Sequence, residues 1–307
     1  MELVFHTADV FTNRPFGGAQ VAVFPAADGL ETQQMQQIAA EFNLTETIFV
    51  FSAKTPQQRR VRIFTPRREI DFAGQTILAA GHVLGATGAI PLQEGDTRLD
   101  LLHNFGPVEV HLSVDQGQAD FVQFTYTVHP VVDRFVPPDE ELAAILSLDR
   151  RAIGADKFRP LLVSCDHPYL IVPIRSLADL QQAEFSRAHW AESHAPAMLA
   201  QQMLLFCRQT QNSEATFHAR LVGPQISHQD DPPIGAALPA FAAYLAEQPN
   251  LRQGTYIFAV ERGFDATRKS LLHVEMDKRP GAGLKLRVGG NVVSVTSGTL
   301  HLLELEE

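Results

Sequence analysis

The 307-residue sequence is short of cysteine and of positive charge. It has only two cysteines, and Asp and Glu outnumber Lys and Arg by 35 to 25, which gives a formal net charge of -10. Two cysteines cannot build a disulfide scaffold in a chain of this length. Both follow apolar stretches, at Cys165 and Cys207. This pattern predicts reduced thiols in the core of a cytoplasmic protein.

Other absences exclude classes of partner. Basic residues form no stripe, which argues against binding to nucleic acid or to an anionic membrane surface. Neither a run of about eighteen apolar residues nor a basic N-terminal region followed by an apolar one occurs, so we expect no transmembrane helix and no signal peptide. P-loop, dinucleotide-binding and nucleophile-elbow motifs are missing. The 12 histidines have no pair at the helical spacing of two metal ligands, so we expect neither a metal nor a cofactor.

Small residues dominate the stretch 62–88, which has the pattern of a strand, a polar turn and a helix. From Gly74 onward, Ala and Gly alternate with larger apolar residues around most of the helix, which predicts burial on all sides. The same design recurs at 230–248, where Gly235 aligns with Gly74. We therefore predict two half-chains, each wrapping a sheet around one small-residue helix.

Stretches typical of antiparallel strands surround both predicted helices, and a proline-rich break lies at about 128–138. We expect an N-terminal domain at 1–127 that is closed by a last strand at about 297–307. The C-terminal domain is expected at 128–296.

Two carboxylates occur in unusual positions. Glu46 lies between two threonines before an apolar strand, and Asp231 lies directly before two prolines and the second predicted helix. A carboxylate removed from water becomes more basic and can exchange a proton near neutral pH. The alternative is structural, with Asp231 as a helix N-cap and Glu46 as a surface residue at a strand end. Spacing alone favours the structural alternative.

Five segments in chain order carry a family resemblance: 9–24, 35–50, 62–76, 217–237 and 287–300. They resemble motifs of the PhzF-like family of phenazine biosynthesis, which is related to diaminopimelate epimerase. The resemblance implies an α+β fold of two similar domains, each a curved, barrel-like antiparallel sheet around a central helix. It also implies an active site in the cleft between the domains and a cofactor-independent isomerase of a small carboxylic acid, commonly a homodimer.

The resemblance places Glu46 on the family's catalytic glutamate, which moves a proton between carbon atoms of the substrate. Asp231 falls on the aspartate of the second helix motif. Substrate contacts are implied for Gly18, Gly74, Gln75, Thr76, Ile234, Gly235 and Ala236.

Several of these positions depart from the family pattern. Gln75 replaces a histidine, so an amide that can orient a ligand but cannot exchange a proton stands there. Ile234 and Ala236 replace residues with hydroxyl groups, and the two-thiol mechanism of the epimerase is excluded because Ala73 and Ile234 take the places of its cysteines. Backbone N–H groups at the two helix openings could still bind a carboxylate. The alternatives are glycines that serve only helix packing, and a binding or regulatory protein that has lost efficient turnover.

We predict that any activity will persist in the presence of a chelator and after thiol alkylation, because no metal ligands or cysteines occur at the expected site. Turnover measured with and without EDTA, and before and after iodoacetamide, tests this. Loss of turnover with EDTA alone would contradict the metal-free interpretation.

Overall fold

The computed structural model describes residues 1–55, 57–104, 106–165, 167–198, 200–226, 231–249, 251–264, 267–279, 281 and 283–302. The chain forms two compact units, one of Met1–Tyr126 with Arg287–Glu307 and the other of Thr127–Leu286. The domain boundaries expected from the sequence stay predictions. Residues 227–230, at the start of the predicted second helix motif, and 303–307, at the end of the predicted last strand, lie outside the described residues.

The described residues of the first unit form most of the strands of a barrel and two α-helices. Its elements are β1 (Glu2–Val10), β2 (Ala19–Phe24), α1 (Thr32–Phe42), β3 (Glu46–Phe51), β4 (Gln58–Phe64), β5 (Glu69–Ile70), α2 (Gly74–Ala86), β6 (Gly95–His103), β7 (Gly106–Asp115) and β8 (Gln118–Val128).

The described residues of the second unit form further strands and four α-helices. Its elements are β9 (Val131–Asp133), α3 (Asp139–Ile145), β10 (Leu161–Ser164), β11 (Pro168–Pro173), α4 (Leu177–Gln182), α5 (Arg187–Glu192), β12 (Met203–Cys207), β13 (Phe217–Val222), α6 (Leu238–Ala246), β14 (Gly254–Arg262) and β15 (Ser270–Lys278), followed by the long strand β16 (Leu284–His301).

Strand β16 closes the sheet of the first unit. The strand order is β1-β2-β3-β4-β6-β7-β8-β16, and β16 also pairs with β1, which makes an eight-stranded barrel. In this pairing Glu2 lies opposite His301 and Val10 opposite Val292. Closure leaves no exposed sheet edge along β1, because both sides of that strand are paired.

The two units repeat one pattern of strand pairing. From β1 to β7 the pairs are antiparallel, parallel, antiparallel, parallel and antiparallel, and the same alternation runs from β10 to β15. The helices α2 and α6 follow the fourth strand of each series. The predicted α+β fold of two similar sheet-around-helix units is therefore confirmed, while the parallel pairs were not predicted.

Helix α2 is the centre of the first unit. All of its residues from Gly74 to Gly85 are buried, and it contacts β1, β2, β3 and β7. This confirms the prediction of a helix that is buried on all sides.

Helix α6 is also buried, but it begins later than predicted. Gly235–Ala237 forms a 3-10 turn, and the α-helix starts at Leu238. Pro239 explains the difference, because proline has no N–H to donate and is therefore best accommodated in the first turn of a helix. The prediction of a helix that opens at Gly235 is wrong.

Neither cysteine forms a disulfide, but only one of them lies in the core. Cys207 is buried in β12, where its Sγ donates to the carbonyl of Gln209 and burial raises its pKa to about 11. Cys165 directly follows β10 and is partly exposed. The prediction of core thiols is thus confirmed for Cys207 and wrong for Cys165.

We predict that truncation before Gly298 will unfold the first unit instead of trimming a loose tail. Leu300 and Leu302 pack against a buried cluster that includes Leu3 and Phe24. Loss of one well-packed leucine side chain costs about 2 to 5 kcal/mol, so the free energy of unfolding should fall by at least about 3 kcal/mol. Thermal and urea unfolding measure this.

A chain that ends at Leu302 is the matched control, because it lacks only residues 303–307. Equal stability of both truncated chains and the full chain would show that the end of β16 does not close the barrel.

Candidate active site

Glu46 is the first residue of β3 and is buried, with 8% of its surface exposed. In the sheet it lies opposite Val21 of the parallel strand β2. The burial contradicts the structural alternative of a surface residue at a strand end.

Gln75, the second residue of α2, contacts this carboxylate directly. Its side-chain Nε2 donates a hydrogen bond of 2.9 Å to Glu46 Oε2. Gln75 is only 3% exposed. Two of the residues predicted for the site, 29 positions apart in the chain, are therefore brought together inside the first unit.

The setting of Glu46 makes it a candidate for proton exchange. Burial raises the pKa of Glu46 to about 7, and the hydrogen bond from Gln75 opposes this rise only in part. A carboxyl group with a pKa near the working pH can both accept a proton and return it. Such a pKa is typical of catalytic carboxylates.

The other end of the Gln75 amide has no partner of its own. Oε1 of Gln75 is buried and accepts no hydrogen bond from any described residue, and the same holds for Oγ1 of Thr47. A buried acceptor without a donor costs about 1 to 3 kcal/mol. Such atoms inside an otherwise close-packed barrel mark a place where a ligand could supply the missing donor.

Helix α2 opens close to the carboxylate. Its N-cap, Ala73, makes no side-chain cap hydrogen bond. Thr76 is one of the predicted substrate contacts. Its hydroxyl donates to the carbonyl of Ala73 at 2.7 Å, so its hydrogen-bond donor is already used within the first turn of the helix. The N-terminal N–H groups of the helix remain an arrangement suited to an anion.

Gly74 and Gly18 are required by packing. A Cβ atom at Gly74 would lie 2.9 Å from Cζ of Phe124, and one at Gly18 would lie 2.0 Å from the carbonyl oxygen of Val10. Gly18 also has a positive φ of 59°, which side chains rarely adopt. These contacts explain both glycines without a ligand, and their roles in substrate binding stay predictions.

Asp231, in the second unit, is held by an ion pair. Its Oδ2 lies 3.5 Å from Nε of Arg262 and accepts a hydrogen bond of 3.2 Å from Thr267 Oγ1, and Arg262 Nη2 donates to its carbonyl oxygen. Burial lowers the pKa of Arg262, and Asp231 opposes that shift. The side chain of Asp231 caps neither the 3-10 turn nor α6, so the predicted N-cap alternative is wrong.

The remaining predicted residues lie around the 3-10 turn before α6. Ile234 is fully buried, Gly235 is partly buried and Ala236 is exposed. Positions 234 and 236 carry no polar side-chain atom that a ligand could use.

The sequence patterns missed a buried histidine–carboxylate pair in the second unit. His218 Nδ1 lies 2.7 Å from Glu261 Oε1, and the carboxylate of Glu261 also accepts the backbone N–H groups of Gln211 and Asn212. The ring of His218 stacks on Phe264 with centroids 4.6 Å apart. Polar residues inside the apolar strands β13 and β14 were the available signal for this pair.

Neither a metal-ligand cluster nor a membrane-spanning helix occurs in the described part of the chain. Its His, Cys, Asp and Glu side chains form no group of three or more placed to hold a metal ion. None of its helices has both the length and the apolar character needed to cross a membrane.

Comparison with known proteins identifies relatives over nearly the whole chain. A family model described as phenazine biosynthesis-like protein matches residues 8–298. An uncharacterised isomerase of Mesorhizobium japonicum is 30% identical, with coverage of 96% of this chain and 97% of the relative. The trans-2,3-dihydro-3-hydroxyanthranilate isomerase of Pseudomonas chlororaphis is 28% identical, with coverage of 96% and 98%. These relatives support an isomerase activity for the chain.

Solved structures agree on the fold. A phenazine biosynthesis protein of the PhzF family from Bacillus anthracis superposes with a TM-score of 0.83 at 21% identity, covering 98% of this chain and 100% of its own. A predicted epimerase from Pseudomonas aeruginosa superposes with a TM-score of 0.74 at 22% identity, covering 98% and 100%.

We predict that Glu46→Gln will stabilise the folded protein much more at pH 8 than at pH 5. The folded state keeps the Glu46 proton up to about pH 7, whereas an unfolded chain loses it near the ordinary value of 4.5. The native carboxyl therefore destabilises the fold increasingly as the pH rises through this window, by roughly 3 kcal/mol when fully developed. Glutamine keeps the shape without the charge.

Urea unfolding at pH 5 and pH 8 measures the effect. Glu41→Gln is the matched control, because Glu41 is exposed at the end of α1 and its replacement should change stability little at either pH. An equal effect of Glu46→Gln at both pH values would contradict the raised pKa.

Proposed function

Because the chain belongs to the phenazine biosynthesis-like protein family, we propose that it is a cofactor-independent isomerase in which Glu46 moves a proton between two carbon atoms of a small carboxylic acid. The observation that supports this most is the buried Glu46 carboxyl, whose pKa lies at about 7. It is placed beside the opening of α2 by its hydrogen bond with Gln75.

The proposed step needs no oxidant or reductant. The Glu46 carboxylate takes a proton from a carbon atom conjugated to the substrate carboxyl, and the electron pair of the broken C–H bond delocalises toward that carboxyl. Glu46, now a carboxylic acid, returns the proton to another carbon atom on the same face. One C–H bond breaks and one forms, so the product is an isomer of the substrate.

Backbone groups of α2 suit the charge that this step develops. N–H groups at a helix N terminus stabilise an anion, and in a site shielded from water such donors act strongly on charge in a transition state. Gln75 orients the substrate and the base but cannot take up the proton, since an amide does not titrate. The proton transfer therefore needs only Glu46.

We assign Asp231 to the proposed site because it falls on the aspartate of the family's second helix motif. Its contacts with Arg262 and Thr267 hold the carboxylate in a fixed position, which suits a group that orients a ligand better than one that exchanges a proton. The interdomain position of the site, the homodimer and the cytoplasmic location stay predictions that follow from the resemblance and the composition.

A second candidate function, a binding protein with impaired turnover, is favoured by the missing polar groups. Gln75 replaces a titratable side chain, and neither the buried Ile234 nor the exposed Ala236 offers a hydroxyl. Tight binding of a carboxylic acid without proton exchange would distinguish this function from catalysis.

We predict that the protein will exchange carbon-bound hydrogen of its substrate with deuterated water, and that Glu46→Gln will reduce the rate at least about 100-fold, as is common when a general acid or base is removed. The first probe is trans-2,3-dihydro-3-hydroxyanthranilate, the compound in the name of a relative. A panel of small unsaturated and amino carboxylic acids follows, with mass spectrometry as the readout.

Glu41→Gln serves as the control and should exchange at the wild-type rate. Exchange that persists in Glu46→Gln would refute the role of Glu46, and micromolar binding without exchange in the wild type would favour the binding protein.

A further inference from the structure

The Gln75 amide has a donor end and an acceptor end, and the protein uses only one of them. Nε2 donates to Glu46 Oε2 at 2.9 Å. Oε1 is buried and meets no hydrogen-bond donor among the described residues. The atom lies at the first turn of α2, next to the carboxylate that the proposed function assigns as the base.

Ionised Glu46 determines which end of the Gln75 amide stays available to a ligand. A carboxylate only accepts hydrogen bonds, so it must face the NH2 group of Gln75. The carbonyl oxygen is then the end available to a ligand. A protonated Glu46 could instead donate its O–H to the amide oxygen, which would turn the NH2 group toward the ligand.

We propose that Gln75 is a specificity-determining residue whose Oε1 accepts a hydrogen bond from an amino or hydroxyl group of the substrate, and that this bond holds the amide in the orientation that donates to ionised Glu46. The inference rests on the proposed function of Glu46. It narrows the substrate class to carboxylic acids that also carry a hydrogen-bond donor.

The proposal couples ligand binding to the charge of Glu46. Every carboxylate ligand adds a negative charge that raises the pKa of Glu46, whereas a donor to Oε1 favours the carboxylate form and opposes that rise. Benzoate, which has no donor, should therefore cause more proton uptake at pH 7 than a donor-bearing acid. The difference in proton uptake between the two acids measures the effect of the bond to Oε1.

Neighbouring charges of the protein do not account for a difference between the two acids. Burial and the Gln75 hydrogen bond are the influences on the Glu46 pKa. On the elements around it, Arg62 of β4 pairs with Glu69, and His82 of α2 is held by the carbonyl of Ala119 and the hydroxyl of Ser294. Other titratable groups on these elements are Glu2, His6 and Asp9 of β1, Glu41 of α1, and Arg59 and Arg60 of β4.

Calorimetry at pH 7 with benzoate and its 2-amino, 3-amino and 3-hydroxy derivatives tests the proposal. These acids share a ring and a carboxylate and differ only in the donor. We expect at least one derivative to bind the wild type about tenfold more tightly than benzoate, the gain of one well-placed hydrogen bond. Titration in two buffers with different ionisation enthalpies measures the protons taken up or released with each acid.

Gln75→Met removes the acceptor with little change of volume. The preference for the donor-bearing acid should then fall below twofold, and the difference in proton uptake between this acid and benzoate should disappear. Gln36→Met is the matched control, because Gln36 is a partly buried glutamine of α1 whose amide donates to the carbonyl of Thr65. The control should keep both the preference and the difference in proton uptake, and near-ultraviolet circular dichroism checks that both variants are folded.

Three results would overturn the inference: no preference in the wild type, an unchanged preference in Gln75→Met, or no binding of any of the four acids at millimolar concentration. Deuterium exchange by the wild type and by Glu46→Gln shows whether the role of Gln75 or the role of Glu46 as the base has failed. Exchange that requires Glu46 but shows no donor preference refutes only the role of Gln75. Donor preference with exchange that is independent of Glu46 refutes the proposed base.

Discussion

The close packing of α2 against the barrel strands is the constraint on which the first unit depends. A Cβ atom at Gly74 would lie 2.9 Å from Phe124 Cζ, and one at Gly81 would lie 3.1 Å from Val122 Cγ1. Both neighbours belong to β8, so a larger residue on this face of the helix would have to displace that strand's side chains. The helix therefore lies so close to β8 that only small residues fit between them. This close approach brings Gln75 within hydrogen-bond distance of Glu46.

The burial that follows from this packing sets the chemistry of the site. Glu46 has a neutral amide as its hydrogen-bond partner, so loss of solvation dominates and its pKa rises to about 7. Asp231 in the second unit has a charged partner instead, because Arg262 lies 3.5 Å away. The surroundings of the two carboxylates thus differ, with a neutral amide beside Glu46 and a guanidinium beside Asp231. The raised pKa of Glu46 also costs stability, which is a common consequence of a functional site.

The features that local patterns encode could be predicted from the sequence. Small residues at helical spacing predicted α2. The local pattern around Glu46 favoured a surface position, and the structure instead buries this carboxylate. The predicted start of α6 was wrong. The alignment of Gly235 with Gly74 suggested a start at Gly235, but Pro239 favours a position in the first turn, so the helix begins at Leu238. The ion pair of Asp231 with Arg262 joins residues 31 positions apart, and such a contact depends on tertiary packing that no local pattern specifies. The contact between Gln75 and Glu46 depends in the same way on how closely α2 packs inside the barrel.

The two units share a strand order but differ at the opening of their helices. In the first unit the opening of α2 offers a buried amide with an unused acceptor. In the second unit a 3-10 turn precedes α6, with Ile234 in the core and Ala236 exposed. The polar side chain before α6 is instead Asp231, which Arg262 holds. Because an amide does not titrate, Gln75 adds no charge to the opening of α2, where the charge near neutral pH then depends on Glu46 with its pKa of about 7.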